Sequence, residues 1–425
     1  MVRIRRASPL WLVAGAGIVL LLVGCLHLGE RGAWRGGPEV PVKGPPDRLV
    51  RVRLGGNTPR RGAALEITSP YSVKSMPGGE VLTEHHGELR SARVEPEGPR
   101  GIRIGGERIS ADDILITPER DAAIVLDSRD SGTKDGPLTY RGALRIQRCG
   151  DGLVFDNHLD VESYVRGVVR GELPRDFHPE SFKAQAVAAR TYVLYQKKIG
   201  SRDRTFDVYD HEGSQMYIGV QGEDQIAVDA VTKTAGEVCV YNDGKGDRIF
   251  CTYYSSACGG CSQCVTNVKP NETAIPPLAG NVPCNDCYLA SFYRWDPVEL
   301  SKAEVTRKLA AKYPSLSKLG TITELEPKAK TADGRIIRIL LIGSTGQSET
   351  LVGEDFRLSI GGRVLKSTNF EIETRADRFI FKNGKGFGHG VGLCQHGMET
   401  KARHGLKYRE ILRIYYPRAD IKKLY

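Results

Sequence analysis

The chain of 425 residues has no apolar run long enough for a simple membrane span. Its longest, Leu10 to Val23, is about 14 residues, against the roughly 20 a spanning helix needs. It also has no H-E-x-x-H motif, which removes the common helical zinc-protease arrangement. The glycines at 384, 386, 388, 390 and 392 alternate, but they are not the G-x-G-x-x-G fingerprint and follow no βαβ pattern, which argues against a nucleotide site. No stretch interleaves arginines with aromatics, so nucleic acid is a poor partner despite a net charge of +10. There is no internal repeat, which removes solenoids and propellers.

What is present begins with a leader. Arg3, Arg5 and Arg6 precede the apolar run, and Leu22-Val23-Gly24-Cys25 resembles the lipobox of bacterial lipoproteins. On that resemblance residues 1–25 are a signal peptide and Cys25 is acylated. An uncleaved anchor or a chance cysteine are the other readings. The leader predicts an exported, membrane-tethered protein facing the cell envelope, in the periplasm or at the outer surface. Residual basic charge suits polyanionic envelope polymers and serves equally as a general solubility feature. Residues 26–48, rich in Gly and Pro, read as a flexible linker. Residues 49–127 carry short alternating runs such as Val50-Arg51-Val52-Arg53-Leu54, separated by turn residues, and predict a small all-β module. A Gly/Asp/Ser-rich boundary follows. Residues 136–420 mix strand signals with helices, so the fold class is α+β, a core of mixed β-sheet with helices.

Within that core the stretch from Asp160 to Tyr195 is the most informative. Asp160 is placed to cap a helix whose apolar stripe is Val161, Tyr164, Val165, Val168 and Val169. His178-Pro179-Glu180 opens a second helix carrying Lys183, Gln185 and Arg190. Glu172 lies four residues beyond Val168 on the same stripe and in the last turn of the first helix. Burial and the helix dipole both raise a carboxyl pKa there, the condition for a general acid near neutral pH. Lys183 and Arg190, seven residues apart, share a face and would lower it again if that face meets Glu172. A salt bridge tying the two helices together is the plain alternative.

Glu172-Leu173-Pro174 and the run Pro179-Glu180-Ser181-Phe182-Lys183-Ala184-Gln185-Ala186-Val187-Ala188-Ala189-Arg190-Thr191-Tyr192 resemble the signature of the SpoIID/LytB family. So do Phe206-Asp207-Val208, Ser214-Gln215-Met216-Tyr217-Ile218-Gly219, Tyr254-Ser255-Ser256-Ala257-Cys258-Gly259-Gly260, and Gly386-Phe387-Gly388-His389-Gly390-Val391-Gly392-Leu393-Cys394-Gln395-His396-Gly397. The resemblance covers residues 136–417. It implies a SpoIID-like core acting on peptidoglycan glycan strands as a lytic transglycosylase, with Glu172 as the single general acid and base and 1,6-anhydromuramyl ends as product. Leu173 stands where the family usually has Met. The resemblance further implies substrate contacts from Lys183 and Arg190, and no cofactor for catalysis. His389 and Gln395, in the glycine-rich loop, read as substrate contacts or as partners that hold Glu172, with satisfaction of buried backbone groups as the plain alternative. Asp176, Asp207 and Asp210 remain available as a second carboxylate for ordinary hydrolysis. The rival implication is a glycan-binding protein that stimulates a separate cell-wall amidase.

Ten cysteines complete the inventory, six of them within 37 residues. Cys261-Ser262-Gln263-Cys264 and Cys284-Asn285-Asp286-Cys287 are two C-x-x-C pairs, with Cys258 just upstream. The spacing reads as a structural zinc site with ligands among Cys258, Cys261, Cys264, Cys284 and Cys287. An exported protein favours disulfides instead, and both readings stand.

Overall fold

The computed structural model describes residues 40–41, 46–119, 122–127, 136–200 and 204–425. The leader, Cys25 and most of the linker lie outside the described residues.

The alternating runs after Leu49 form strands with one buried face, as in Ala63–Ile67, where Ala63, Leu65 and Ile67 point inward. These strands build two sheets. A seven-stranded sheet runs in the order Val208–Tyr209, Leu49–Leu54, Gly152–Asp160, Ala143–Cys149, Asp113–Pro118, Tyr71–Ser75, Val81–His85. A six-stranded sheet contains Leu138–Tyr140, Ile124–Asp127, Ala63–Ile67, Leu89–Pro96, Ile102–Ile104 and Glu107–Ile109. Strands from residues 49–127 and from residues 136–420 therefore share both sheets, and their inner faces contribute to one hydrophobic core.

Eight helices are described: α1 (Val161–Glu172), α2 (Pro179–Ile199), α3 (Gln225–Lys233), α4 (Val265–Val268), α5 (Lys302–Lys312), α6 (Gly353–Ile360), α7 (Gln395–Arg403) and α8 (Tyr408–Tyr415). The chain is α+β. Strand Gly152–Asp160 runs directly into α1, where the Asp160 carboxylate accepts from the Glu162 amide at 2.9 Å and caps the helix. Proline at the first position of α2 and the His178 side chain, accepting from the Glu180 amide, fix the second start.

A buried ion pair locks α1 to α2. Arg190 donates to both oxygens of Glu162, at 2.8 and 2.7 Å, and to the Glu237 carbonyl at 3.1 Å. Glu162 also accepts from the Tyr425 hydroxyl at 2.6 Å, so the C-terminal residue joins the clamp.

A second hydrophobic core, from Trp295 to Phe381, is built by α5, α6 and the strands around them. It lies in sequence between two short strands of the main core, Tyr254–Ser255 and Leu393–Cys394. These pair in parallel, with Tyr254 opposite Leu393 and Ser255 opposite Cys394. The fully buried Arg335 ties this lobe back to the main core by donating to the carbonyls of Gly388 at 3.1 Å and Cys258 at 2.6 Å.

Removing one partner of a buried pair strands the other charge. Arg190→Ala is therefore expected to lower unfolding free energy by about 3–5 kcal/mol in a denaturant titration. A loss below about 1 kcal/mol, the level of an exposed pair, would contradict the clamp.

Candidate active site

Glu172 occupies the last turn of α1, with Leu173 as the C-cap. Its position is set by small residues. Gly171 lets the segment after Gln215 press against the helix: a Cβ there would sit 2.3 Å from the Met216 carbonyl oxygen. Gly167, one turn earlier, packs equally closely against Tyr217 and Gly222. This contact delivers the Met216 amide, which donates to Glu172 Oε1 at 2.8 Å.

Two further donors converge on the same carboxylate. The Tyr254 hydroxyl donates to Oε1 at 2.9 Å, and the Gln395 side chain is also hydrogen-bonded to it. Tyr254 is itself oriented: its oxygen accepts from Gln215 Nε2 at 2.9 Å, and Gln215 Oε1 accepts from the Tyr164 hydroxyl at 3.0 Å. Each hydroxyl spends its one proton in the direction of Glu172, so the chain of bonds is aligned. Gln395 Nε2 lies 3.4 Å from Gln185 Oε1 on α2, and the buried Gln185 Nε2 has no hydrogen-bond partner among the described residues.

Burial raises the Glu172 pKa above the ordinary glutamate range. The Met216 amide, the Tyr254 hydroxyl and Gln395 pull it partly back, and the charge of Glu212 adds to the rise. The site thus shifts the balance toward the acid form, yet it holds donors ready for the anion that remains once the proton has left. A group that must act first as acid and then as base needs both.

The sequence-predicted residues separate. Gln395 reaches Glu172. Lys183 and Arg190 do not: Lys183 pairs with Glu180 at 2.6 Å, and Arg190 is fully buried in the Glu162 clamp. No cation is among the main influences on Glu172, and the face of α2 that meets the site carries the Gln185 amide instead. His389 lies toward the second lobe, its Nδ1 accepting from the Val391 amide at 2.9 Å and its ring edge-on to Tyr253. Burial pushes its pKa down to about 4 despite the nearby Glu354 charge, so it is neutral at neutral pH. Asp207 pairs with Arg51 at 2.7 Å, Asp210 accepts from the Gly55 amide at 2.8 Å, and Asp176 is exposed.

Tyr254, Gln215 and Tyr164 are site residues that sequence reasoning did not single out. Gln215 and Tyr254 stand inside the motif blocks quoted above, which was the available signal. Tyr164 reads only as part of the apolar stripe.

The thiols also regroup. The sulfurs of Cys258, Cys284, Cys287 and Cys394 all lie within 4.8 Å of one another, and all four residues are buried. Cys261 and Cys264 stay outside this group, turned toward the Ser262 carbonyl and the Thr266 hydroxyl. Cys239, Cys251, Cys258, Cys261, Cys264, Cys284, Cys287 and Cys394 form no disulfide. A hollow of about 530 Å³ opens beside this cluster rather than beside Glu172, lined by Asn285, Tyr288, Ala290, Ser291, Tyr293 and Arg294.

Residues 150–241, with Glu172, match a family model described as SpoIID, stage II sporulation protein. Residues 283–392 match a domain of unknown function. The chain is 34% identical over 303 residues to an uncharacterized protein of Brachyspira hyodysenteriae, covering 70% of this chain and 76% of that one. It is 28% identical over 280 residues to stage II sporulation protein D of Bacillus subtilis, covering 63% and 75% respectively. The amidase enhancer of Bacillus subtilis is 27% identical over 291 residues, which span 60% of this chain and 39% of that protein.

A raised carboxyl pKa makes folding less favourable as pH climbs from the unfolded value, near 4.5, through the folded one, because the native state then gives up a proton it holds more tightly. Glu172→Gln removes this penalty and keeps an oxygen acceptor for Met216 and Tyr254. The variant is expected to melt above the parent at pH 7, with the gap closing below about pH 4.5, where both forms of the parent are protonated. Melting curves across that range check this, and a variant less stable than the parent at pH 7 would contradict the assigned burial.

Proposed function

The chain belongs to the SpoIID/LytB family, and from that premise we propose that it acts on the bacterial cell wall by cleaving peptidoglycan glycan strands as a lytic transglycosylase. Glu172 is the single acid and base. In the first step its proton passes to the glycosidic oxygen while the bond to the muramyl C1 breaks. In the second the carboxylate takes the proton of the muramyl C6 hydroxyl as that oxygen closes on C1, leaving a 1,6-anhydromuramyl end. No water enters the reaction, so no second carboxylate has to activate one.

The observation that carries this reading is the set of three donors on one raised carboxylate: Met216, Tyr254 and Gln395. A salt-bridged structural glutamate would face a cation, and the cations of α2 are engaged elsewhere. Of the three carboxylates that could have served a hydrolase, Asp207 and Asp210 have their own structural partners, and Asp176 is exposed. The folded part works outside the cytoplasm, held to the membrane through acylated Cys25.

A second reading follows from the amidase enhancer among the relatives: the same site binds glycan and the protein stimulates a separate amidase. Product chemistry separates the two. Purified protein incubated with glycan strands is expected to generate anhydro ends by mass spectrometry. Glu172→Gln should lower their release by at least about 100-fold, the lower range for a lost general acid, while glycan binding persists. Undiminished release by that variant would sink the role of Glu172, and binding without new ends in the parent would favour the second reading.

A further inference from the structure

Four thiols arrive at one point from distant parts of the chain. Cys258 follows the strand Tyr254–Ser255, Cys284 precedes the 3-10 turn Asn285–Leu289 and Cys287 lies within it, and Cys394 stands at the N-cap of α7. Zinc–sulfur bonds of about 2.3 Å in a tetrahedron place the sulfurs about 3.8 Å apart. The Cys258 and Cys287 sulfurs are 3.7 Å apart, and none of the four is more than 4.8 Å from another. A disulfide would need about 2.05 Å.

The surroundings fit thiolates. The amides of Cys258 and Gly397 donate to Cys394 Sγ at 3.3 and 3.4 Å. The Tyr415 hydroxyl lies 3.1 Å from Cys284 Sγ. Gly397 is required by the packing, since a Cβ there would sit 2.4 Å from Cys284 Sγ. The buried Arg335 guanidinium donates to the Cys258 carbonyl at 2.6 Å, and its Nε has no hydrogen-bond partner among the described residues. It brings positive charge to a centre that would carry a net −2 with a divalent ion. Backbone donors and an adjacent cation are what a tetrathiolate site needs around it.

We propose that Cys258, Cys284, Cys287 and Cys394 bind one zinc ion as a closed tetrathiolate centre, and that Cys261 and Cys264 take no part. With four protein ligands the ion has no open position, so its role is structural. It pins the Tyr254–Leu393 strand junction and the start of α7. Cys394 is followed directly by Gln395, so the ion also fixes the amide that meets Glu172; this last consequence rests on the proposed function, whereas the centre itself does not.

The test uses the full chain purified without chelator. Elemental analysis is expected to give one zinc per chain, and cobalt exchanged into the protein should show the strong thiolate charge-transfer absorption of a tetrahedral four-sulfur site. The double variant Cys261→Ser, Cys264→Ser should keep its zinc. Cys394→Ser should weaken zinc binding at least about 100-fold, beyond the 10–100-fold typical of an outer-shell change. If Cys394→Ser does not fold, the cobalt spectrum of the parent still reports the ligand set. Two disulfides by intact mass with no bound zinc, a cobalt spectrum lacking the four-sulfur signature, or loss of zinc from the double variant would each overturn the proposal. Glu172→Gln should retain the ion, so failure of the metal centre and failure of the catalytic assignment are read separately.

Discussion

Tyr254 and Gln395 are 141 positions apart in sequence, and a parallel ladder only two residues long brings them to the same carboxylate. Tyr254 pairs with Leu393 and Ser255 with Cys394, so the chain leaves the main core at one strand, builds the second lobe, and returns beside its point of departure. Two residues of parallel pairing are weak by themselves. What holds them is the packing around them: the thiols of Cys258, three residues beyond the first strand, and of Cys394, the last residue of the second, and Arg335 reaching across from the second lobe. The geometry at Glu172 is thus inherited from contacts that do not touch it.

The electrostatics of that glutamate come from a competition. Burial at the negative end of α1 works against the charged form, and the charge of Glu212 works in the same direction. Three hydrogen-bond donors work against them without introducing a full positive charge. A lysine or arginine in their place would hold the proton off at neutral pH and leave no acid to donate. Neutral donors moderate the shift without reversing its direction. The capture of Arg190 by Glu162 and of Lys183 by Glu180 is consistent with this, since it spends the nearby cations on structure.

Local features were legible in the sequence. Asp160 and His178-Pro179 mark the helix starts because capping depends on adjacent residues, and the stripe ending at Glu172 follows from helical spacing alone. Partners were not legible. Lys183 and Arg190 share a face by spacing, but which acid each meets depends on how α1 and α2 cross, and Glu162 offered itself as well as Glu172. The alternating runs after Leu49 announce strands, yet not that Leu49–Leu54 would lie beside Gly152–Asp160. The cysteines carry the same lesson. The C-x-x-C spacing of Cys261 and Cys264 is a local pattern. The backbone at Cys261 and Ser262 pairs with the segment around Val282 and Pro283 while the sulfurs of Cys261 and Cys264 turn elsewhere, and the fourth thiol is Cys394, more than a hundred residues away.

The central claim is that one carboxylate, without an activated water, cuts the glycan. Digesting purified glycan strands in water enriched in oxygen-18 and weighing the products tests it most directly. Closure of the C6 hydroxyl onto C1 predicts 1,6-anhydromuramyl ends carrying no label, formed by the parent and not by Glu172→Gln. Reducing ends carrying one heavy oxygen would mean that water attacked C1, and would contradict the account.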